Sequence, residues 1–184
     1  MPVNNEIFEF GKNIHALASY YLRKEYLGKM EKSLTIKELA LWEYLKESKY
    51  FSYDVIGTEY NLAVKIGNHF FGGRLDALVK NGSNYYILDY KTGSAPKNAK
   101  YDYQTIIYTL CVKEYFNTDN VIFVYLDLNH RQEIVLPFSN DMNEDYKKRL
   151  LDISKQIDNY ESIPKRQECS IKENNHCEYS IICY

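Results

Sequence analysis

Apolar and polar positions in the first part of the chain follow a helical period. Ile7, Phe10, Ile14, Leu17, Ala18 and Tyr21 recur at steps of three and four, which predicts a helix over residues 6–27 with one apolar stripe. A second helix is predicted from about Thr35, with Leu39, Trp42 and Leu45 facing inward. From about Asp54 the pattern shortens to β-type segments: VIGTEYNLAVKI, HFFGGRLDALV and NYYILDYKT. Asn81-Gly82 lies between the last two and signals a hairpin, because both residues tolerate positive φ. A helix over about 101–116 follows, then two strands, NVIFVYLDL and QEIVLPFS, separated by Asn129-His130-Arg131. A last amphipathic helix is predicted over 141–160, with Met142, Tyr146, Leu150, Ile153 and Ile157 inward. This order predicts the α/β class, with a central mixed β-sheet flanked by helices. Residues 1–165 read as one domain, and 166–184, rich in Lys, Glu, Asn and Cys, as an irregular tail packed on it.

Composition changes this picture little. A chain of 184 residues with 45% hydrophobic and 26% charged residues has the size and balance of one domain with a sizeable core. No run approaches the roughly 18 apolar residues of a membrane span. The opening MPVNNEIFEF lacks the basic and apolar regions of a signal peptide, so a cytoplasmic location is expected. The net charge of −2 does not advertise nucleic-acid binding, although an acidic metal site lowers net charge while its cation restores local positive potential. Nineteen tyrosines are compatible with base stacking on a few of them, and equally with a usage bias shared with Asn, Lys and Ile.

The chemistry concentrates in Gly73-Arg74-Leu75-Asp76 and Leu88-Asp89-Tyr90-Lys91-Thr92-Gly93. A two-residue turn at Asn81-Gly82 sets Asp76 diagonally across from Asp89; a loop from Asn81 to Asn84 sets them directly opposite. Both registers place the carboxylates on one sheet face, about 5–8 Å apart at Cβ, with Lys91 pointing the same way. Two bare carboxylates at that range repel, and their neighbours Leu75, Ile87 and Leu88 offer no polar company. A divalent cation such as Mg²⁺ resolves both problems, since it takes hard oxygen ligands and keeps sites for water and phosphate. It would activate a water for attack, with Lys91 holding that water or stabilising the transition state. The bland alternative is an exposed hairpin with solvated charges, and Asp-x-Lys by itself does not exclude it.

The set as a whole resembles the PD-(D/E)XK nuclease superfamily, specifically its RecB-like exonuclease branch, which includes CRISPR-associated adaptation nucleases. Gly11-x-x-x-His15 resembles the family's metal-ligand histidine motif, Gly73-x-x-Asp76 and Asp89-x-Lys91-Thr92-Gly93 its catalytic strands, and Gln104-x-x-x-Tyr108 its following helix. The resemblance implies a restriction-endonuclease-like core in which Asp76, Asp89 and Lys91 are catalytic. It implies metal ligation by His15, Asp76, Asp89 and the Tyr90 carbonyl, and DNA positioning by Gln104 and Tyr108. Glu59 is similar to an upstream acidic position and is a candidate accessory acid. The cofactor implied is Mg²⁺ or Mn²⁺. The partner implied is DNA, single-stranded or at ends, with a helicase or recombination protein as a candidate second partner and no membrane.

Many members of that branch carry an iron–sulfur cluster held by four cysteines, three of them near the C-terminus. Here Cys177-Glu178-Tyr179-Ser180-Ile181-Ile182-Cys183 resembles the second half of that tail motif, but Asn174 stands where the family has a cysteine. The nearest upstream cysteine is Cys169, and none precedes Cys111, which falls in an apolar helical segment. Only three tail cysteines are therefore available, and an iron–sulfur cluster is not expected. A zinc site on Cys169, Cys177 and Cys183 with a fourth ligand is an alternative, as is a cluster completed by another ligand. The expected activity is metal-dependent phosphodiester hydrolysis in DNA, as an exonuclease in repair, recombination or replication. The rival readings are a catalytically inactive nuclease fold that binds nucleic acid or a partner protein, and a metal phosphohydrolase acting on nucleotides.

Overall fold

The structure, a computed structural model, describes residues 5–159. Cys169, Cys177, Cys183 and the tail boundary at 166 lie outside the described residues. Helix α1 (Asn5–Leu22) ends ahead of the predicted 27, where Lys24 turns the chain with φ 58°. A short helix, α2 (Gly28–Lys32), follows, then α3 (Ile36–Lys46). Thr35 caps α3 reciprocally: its hydroxyl accepts from the Glu38 amide, and Glu38 Oε2 accepts from the Thr35 amide at 2.7 Å. Glu38 is buried and also accepts from Asn13 Nδ2 at 2.9 Å, so the cap doubles as a tie to α1. Trp42 and Leu45 are buried as expected, but Leu39, also expected inward, is 43% exposed, and Leu41 is buried in its place. The reason is that Glu38, held by Asn13 and by the cap, takes the inward position at the start of the helix.

The five strands β1 (Asp54–Ile66), β2 (His69–Asn81), β3 (Asn84–Lys91), β4 (Val121–Asp127) and β5 (Gln132–Pro137) lie in the order of the chain. All neighbours are antiparallel except β3 and β4, which are parallel. A parallel pair needs a crossover, and α4 (Tyr103–Phe116) supplies it after a 3-10 turn at Ala99–Tyr101. Asp102 caps α4 by accepting from the Gln104 amide at 3.0 Å. Helix α5 (Asn140–Asp158) closes the domain. Tyr146 and Leu150 are buried there, but Ile157 is 64% exposed, although its neighbour Asp158 reaches His69 Nε2 of β2 at 3.1 Å.

The sheet separates two apolar layers. On one face Leu75, Leu78, Ile87 and Phe123 pack against Ile106, Leu110 and Cys111 of α4 and Tyr146 and Leu150 of α5. On the other, Ala77, Val79, Leu88 and Val124 pack against Ile14, Leu17 and Ala18 of α1 and Leu41, Trp42 and Leu45 of α3. Each buried Val, Leu, Ile or Phe among them contributes about 1.5–3 kcal/mol by leaving water. Cys111 is fully buried, as its apolar segment implied, and burial pushes its thiol up to about 12. Tyr21, assigned to the apolar stripe of α1, is 39% exposed and meets the Trp42 ring edge-on at 5.4 Å.

Candidate functional site

The β2–β3 hairpin closes with Asn81 opposite Asn84, so its loop is Gly82-Ser83, with Gly82 at φ 59°. This selects the register that continues to Asp76 opposite Asp89. The alternation along β2 does not run evenly to that point. Leu75 packs under α4 and Ala77, two residues on, packs under α1, so the side-chain alternation breaks at Asp76. Across on β1, Glu59, between the partners of Leu75 and Ala77, sits at φ 50°, a left-handed conformation that non-glycine residues seldom adopt. Pairing stays one-to-one on either side, Thr58 with Ala77 and Tyr60 with Leu75, so both strands turn together at this point. Here Asp76 Oδ2 accepts from the Tyr90 amide at 2.8 Å, and Oδ1 lies 3.1 Å from His15 Nδ1. The expectation of two carboxylates on one regular sheet face is thus corrected: Asp76 turns toward α1, whereas Asp89 and Lys91 meet Gln104 of α4.

The polar company that Leu75, Ile87 and Leu88 do not offer is supplied by the helices. His15 comes from α1, where Gly11 lets the helix approach the end of β3; a Cβ on Gly11 would stand 3.2 Å from Thr92 Oγ1. His15 Nε2 is 2.9 Å from the Tyr90 carbonyl oxygen. Both ring nitrogens therefore face acceptors, which only the imidazolium satisfies in full. Burial favours the neutral ring, but the hydrogen bond and charge of Asp76, then Asp89 and the Tyr90 carbonyl, outweigh it and raise the pKa. One ligand atom each of His15, Glu59 and Asp76 lie within 4.8 Å of one another, a grouping suited to a metal ion. Glu59 also pairs with Arg74 Nε at 2.8 Å.

Asp89 is only 3% exposed. Its Oδ1 accepts from Gln104 Nε2, and its Oδ2 has the Lys91 ammonium 2.7 Å away without an aligned hydrogen bond. Gln104 also accepts from Lys91 Nζ at 3.0 Å through Oε1, so one amide spans both groups. Burial first, and then the charge of Asp76, push the Asp89 carboxyl up to about 6, against the pull of Lys91 and His15. A buried, acidic, incompletely paired carboxylate beside a histidine and two further carboxylates fits a divalent cation, whose charge offsets the repulsion. Tyr108, one turn beyond Gln104, donates its hydroxyl to the Arg74 carbonyl at 3.0 Å, and its ring lies against Gly73. A cavity of about 830 Å³ between the end of α1 and the 3-10 turn at Lys49–Ser52 contains none of these side chains.

Residues 12–184 match the PD-(D/E)XK nuclease superfamily over nearly the whole chain. The chain belongs to the PD-(D/E)XK nuclease superfamily. Members of this superfamily use divalent metals, in keeping with the carboxylate and histidine grouping. Among solved structures, a protein from Eubacterium rectale named "Putative exonuclease" shares the fold, with a TM-score of 0.52 and 12% identity over 89% of this chain and 73% of that one. SSO0001 aligns over 92% of this chain and 84% of its own with 17% identity, but at a TM-score of 0.40 it does not bear on the site. No curated protein sequence matches the chain.

Every site residue named from the sequence before the tail falls in this one region. The pattern of residues alone missed Arg74 as the partner of Glu59, and Asp102 and Tyr125 behind Gln104. Tyr125 donates to Asp102 at 3.3 Å and places its ring 5.5 Å from the Lys91 ammonium. The helix expected from about 101 begins at Tyr103, so Asp102 is its cap rather than its second residue; the one signal was the residue type, since aspartate favours the position before a helix. Among the described residues no helix is long and apolar enough to cross a membrane.

Proposed function

We propose that this nuclease is a Mg²⁺- or Mn²⁺-dependent deoxyribonuclease that hydrolyses phosphodiester bonds at single-stranded or frayed DNA ends. The observation that carries the reading is the convergence of the His15, Glu59 and Asp76 ligand atoms beside the Asp89–Lys91–Gln104 network. His15, Asp76, Asp89 and the Tyr90 carbonyl would hold the cation, with Glu59 as an accessory ligand. Bound there, a divalent ion supplies charge stabilisation of the phosphoryl oxygens and activation of water. Asp89 and Gln104 fix the Lys91 ammonium, so that it meets the attacking water or the charge developing in the transition state with little reorganisation. Gln104 and Tyr108 position the DNA strand, and Tyr108 does so from a ring already braced against β2. The exonuclease name of the Eubacterium rectale protein points the same way; a role in DNA repair, recombination or replication in the cytoplasm is part of the same proposal.

The test is cleavage of end-labelled single- and double-stranded DNA with Mg²⁺, Mn²⁺ or chelator, comparing the wild type with Asp89→Ala. Metal-dependent products that vanish in the variant are expected, and the product ladder gives polarity. Retained cleavage by Asp89→Ala would refute the proposed metal site. No cleavage of any substrate by folded wild type would instead favour the inactive binding module.

A further inference from the structure

The cleavage chemistry uses the side of α4 that carries Gln104 and Tyr108. Just before it, at the 3-10 turn and the helix start, Tyr101 is 37% exposed and Tyr103 is 50% exposed, and neither has a part in that chemistry. The surroundings of Tyr101 are built rather than incidental. The Arg149 guanidinium lies 4.2 Å from the Tyr101 ring centroid, and the Lys100 ammonium lies 5.5 Å from it. The buried Tyr146 donates its hydroxyl to the Lys100 carbonyl at 2.8 Å, fastening the turn to α5. Arg149 follows Tyr146 by three residues and so shares its helix face. On the other side of the turn, the Asp102 carboxylate is held by the Gln104 amide and the Tyr125 hydroxyl. Exposed Lys97 lies two residues before the turn along the chain. Asp145 meets Arg149 through Nε at 2.9 Å, and Asp141 lies in the field of Lys100.

We infer that Tyr101 and Tyr103, flanked by Lys100 and Arg149, form a stacking platform for the single-stranded DNA segment next to the scissile phosphate. This rests on the nuclease reading and extends it to how the strand is held. A nucleotide presents a flat base and a charged phosphate, and the turn offers a tethered, partly exposed aromatic ring with two cations beside it. Base stacking on a tyrosine is tolerant of sequence, which suits an enzyme that must process whatever end it meets. Tyr101 is three residues from Gln104, so their Cα atoms are at most about 11 Å apart. At about 3.4 Å per stacked nucleotide, a strand running from Gln104 to this turn spans only a few nucleotides.

The test uses the full chain with Mg²⁺ and a fluorescently labelled oligothymidylate. Binding is read by anisotropy in an Asp89→Asn background, and cleavage is read in the otherwise wild-type chain. Tyr101→Ala should weaken binding about 5- to 150-fold, whereas Tyr101→Trp should retain it. Arg149→Ala should flatten the slope of log affinity against log salt by about 0.7, the signature of one lost phosphate contact. In turnover, Tyr101→Ala should raise KM by more than it lowers kcat. Tyr26→Ala, at an 89% exposed tyrosine in the loop between α1 and α2, should bind like its parent. Unaltered binding by Tyr101→Ala, or equal weakening by Tyr101→Ala and Tyr101→Trp, would overturn the platform, and continued cleavage would then leave the nuclease reading intact. If the Asp89→Asn parent binds no oligonucleotide and the wild type cleaves none, both readings fall.

Discussion

Asp89 is expected to be a liability to the metal-free fold, and its replacement by asparagine should show how large. Its carboxyl rises from 3.8 to about 6, chiefly through burial and then through Asp76, with the attraction of Lys91 already netted in. A raised acid pKa in the folded state means that the native protein holds a proton that the unfolded chain would release. The resulting penalty is absent below 3.8, grows as pH rises toward 6, and is fully present above it. About two units at 1.36 kcal/mol each give a penalty of about 3 kcal/mol at neutral pH. Asparagine removes the charge while keeping an Oδ1 acceptor for Gln104, and Lys91 keeps its bond to Gln104 Oε1. For a chain of this length, about 3 kcal/mol corresponds to a Tm higher by roughly 6–12 °C. The assay is thermal melting by circular dichroism in chelator, for the wild type and Asp89→Asn, from neutral pH to below 3.8. The advantage of the variant should shrink through about pH 6 and disappear below 3.8. With Mg²⁺ or Mn²⁺ added, only the wild type should gain, because a ligand that binds the native state stabilises it. An unchanged or lower Tm for Asp89→Asn at neutral pH, or an advantage that persists below 3.8, would refute the reasoning.

Three further outcomes follow from the same geometry. Loading with Mn²⁺ should release protons near neutral pH, because the cation displaces a proton from the imidazolium of His15; calorimetry in buffers of different ionisation enthalpy measures this, and His15→Ala should abolish most of it. Gly73→Ala would set a Cβ 2.8 Å from the Tyr108 ring, so it should lose about 1–3 kcal/mol in urea melts, with Tyr108→Ala in the same chain removing most of the penalty. Thr35→Ala breaks the reciprocal cap of α3 and should lower stability by about 1 kcal/mol without altering KM for DNA, checked by denaturant melts and steady-state kinetics.

Much of the architecture was legible along the chain because its signals are local. The helical stripe of Ile14, Leu17 and Ala18 and the period-two strands follow from covalent geometry and the exclusion of apolar groups from water, and both appear where expected. The same period sets Asp89 and Lys91 on one side of β3, and one helical turn sets Gln104 near Tyr108. Hairpin register was not legible, because Asn81-Gly82 and Gly82-Ser83 both offer a residue that tolerates positive φ. The choice falls to the pairing along the whole of β2 and β3. Leu39 and Ile157 were misplaced for a related reason: a helix shows its apolar residues locally, but what lies opposite decides which of them are covered.

The sequence by itself determined the fold class and the residue types of the site, since both rest on neighbours within a turn or a strand. Only the tertiary structure decided the geometry that makes those residues a site. His15 reaches Asp76 from 61 positions away, and the break in alternation at Asp76 with left-handed Glu59 accompanies the gathering of the His15, Glu59 and Asp76 side chains at one place. Likewise, Arg149 comes to lie over Tyr101 because α5 packs beside the turn before α4. These approaches are set by packing energy summed over two apolar layers, which no local pattern contains.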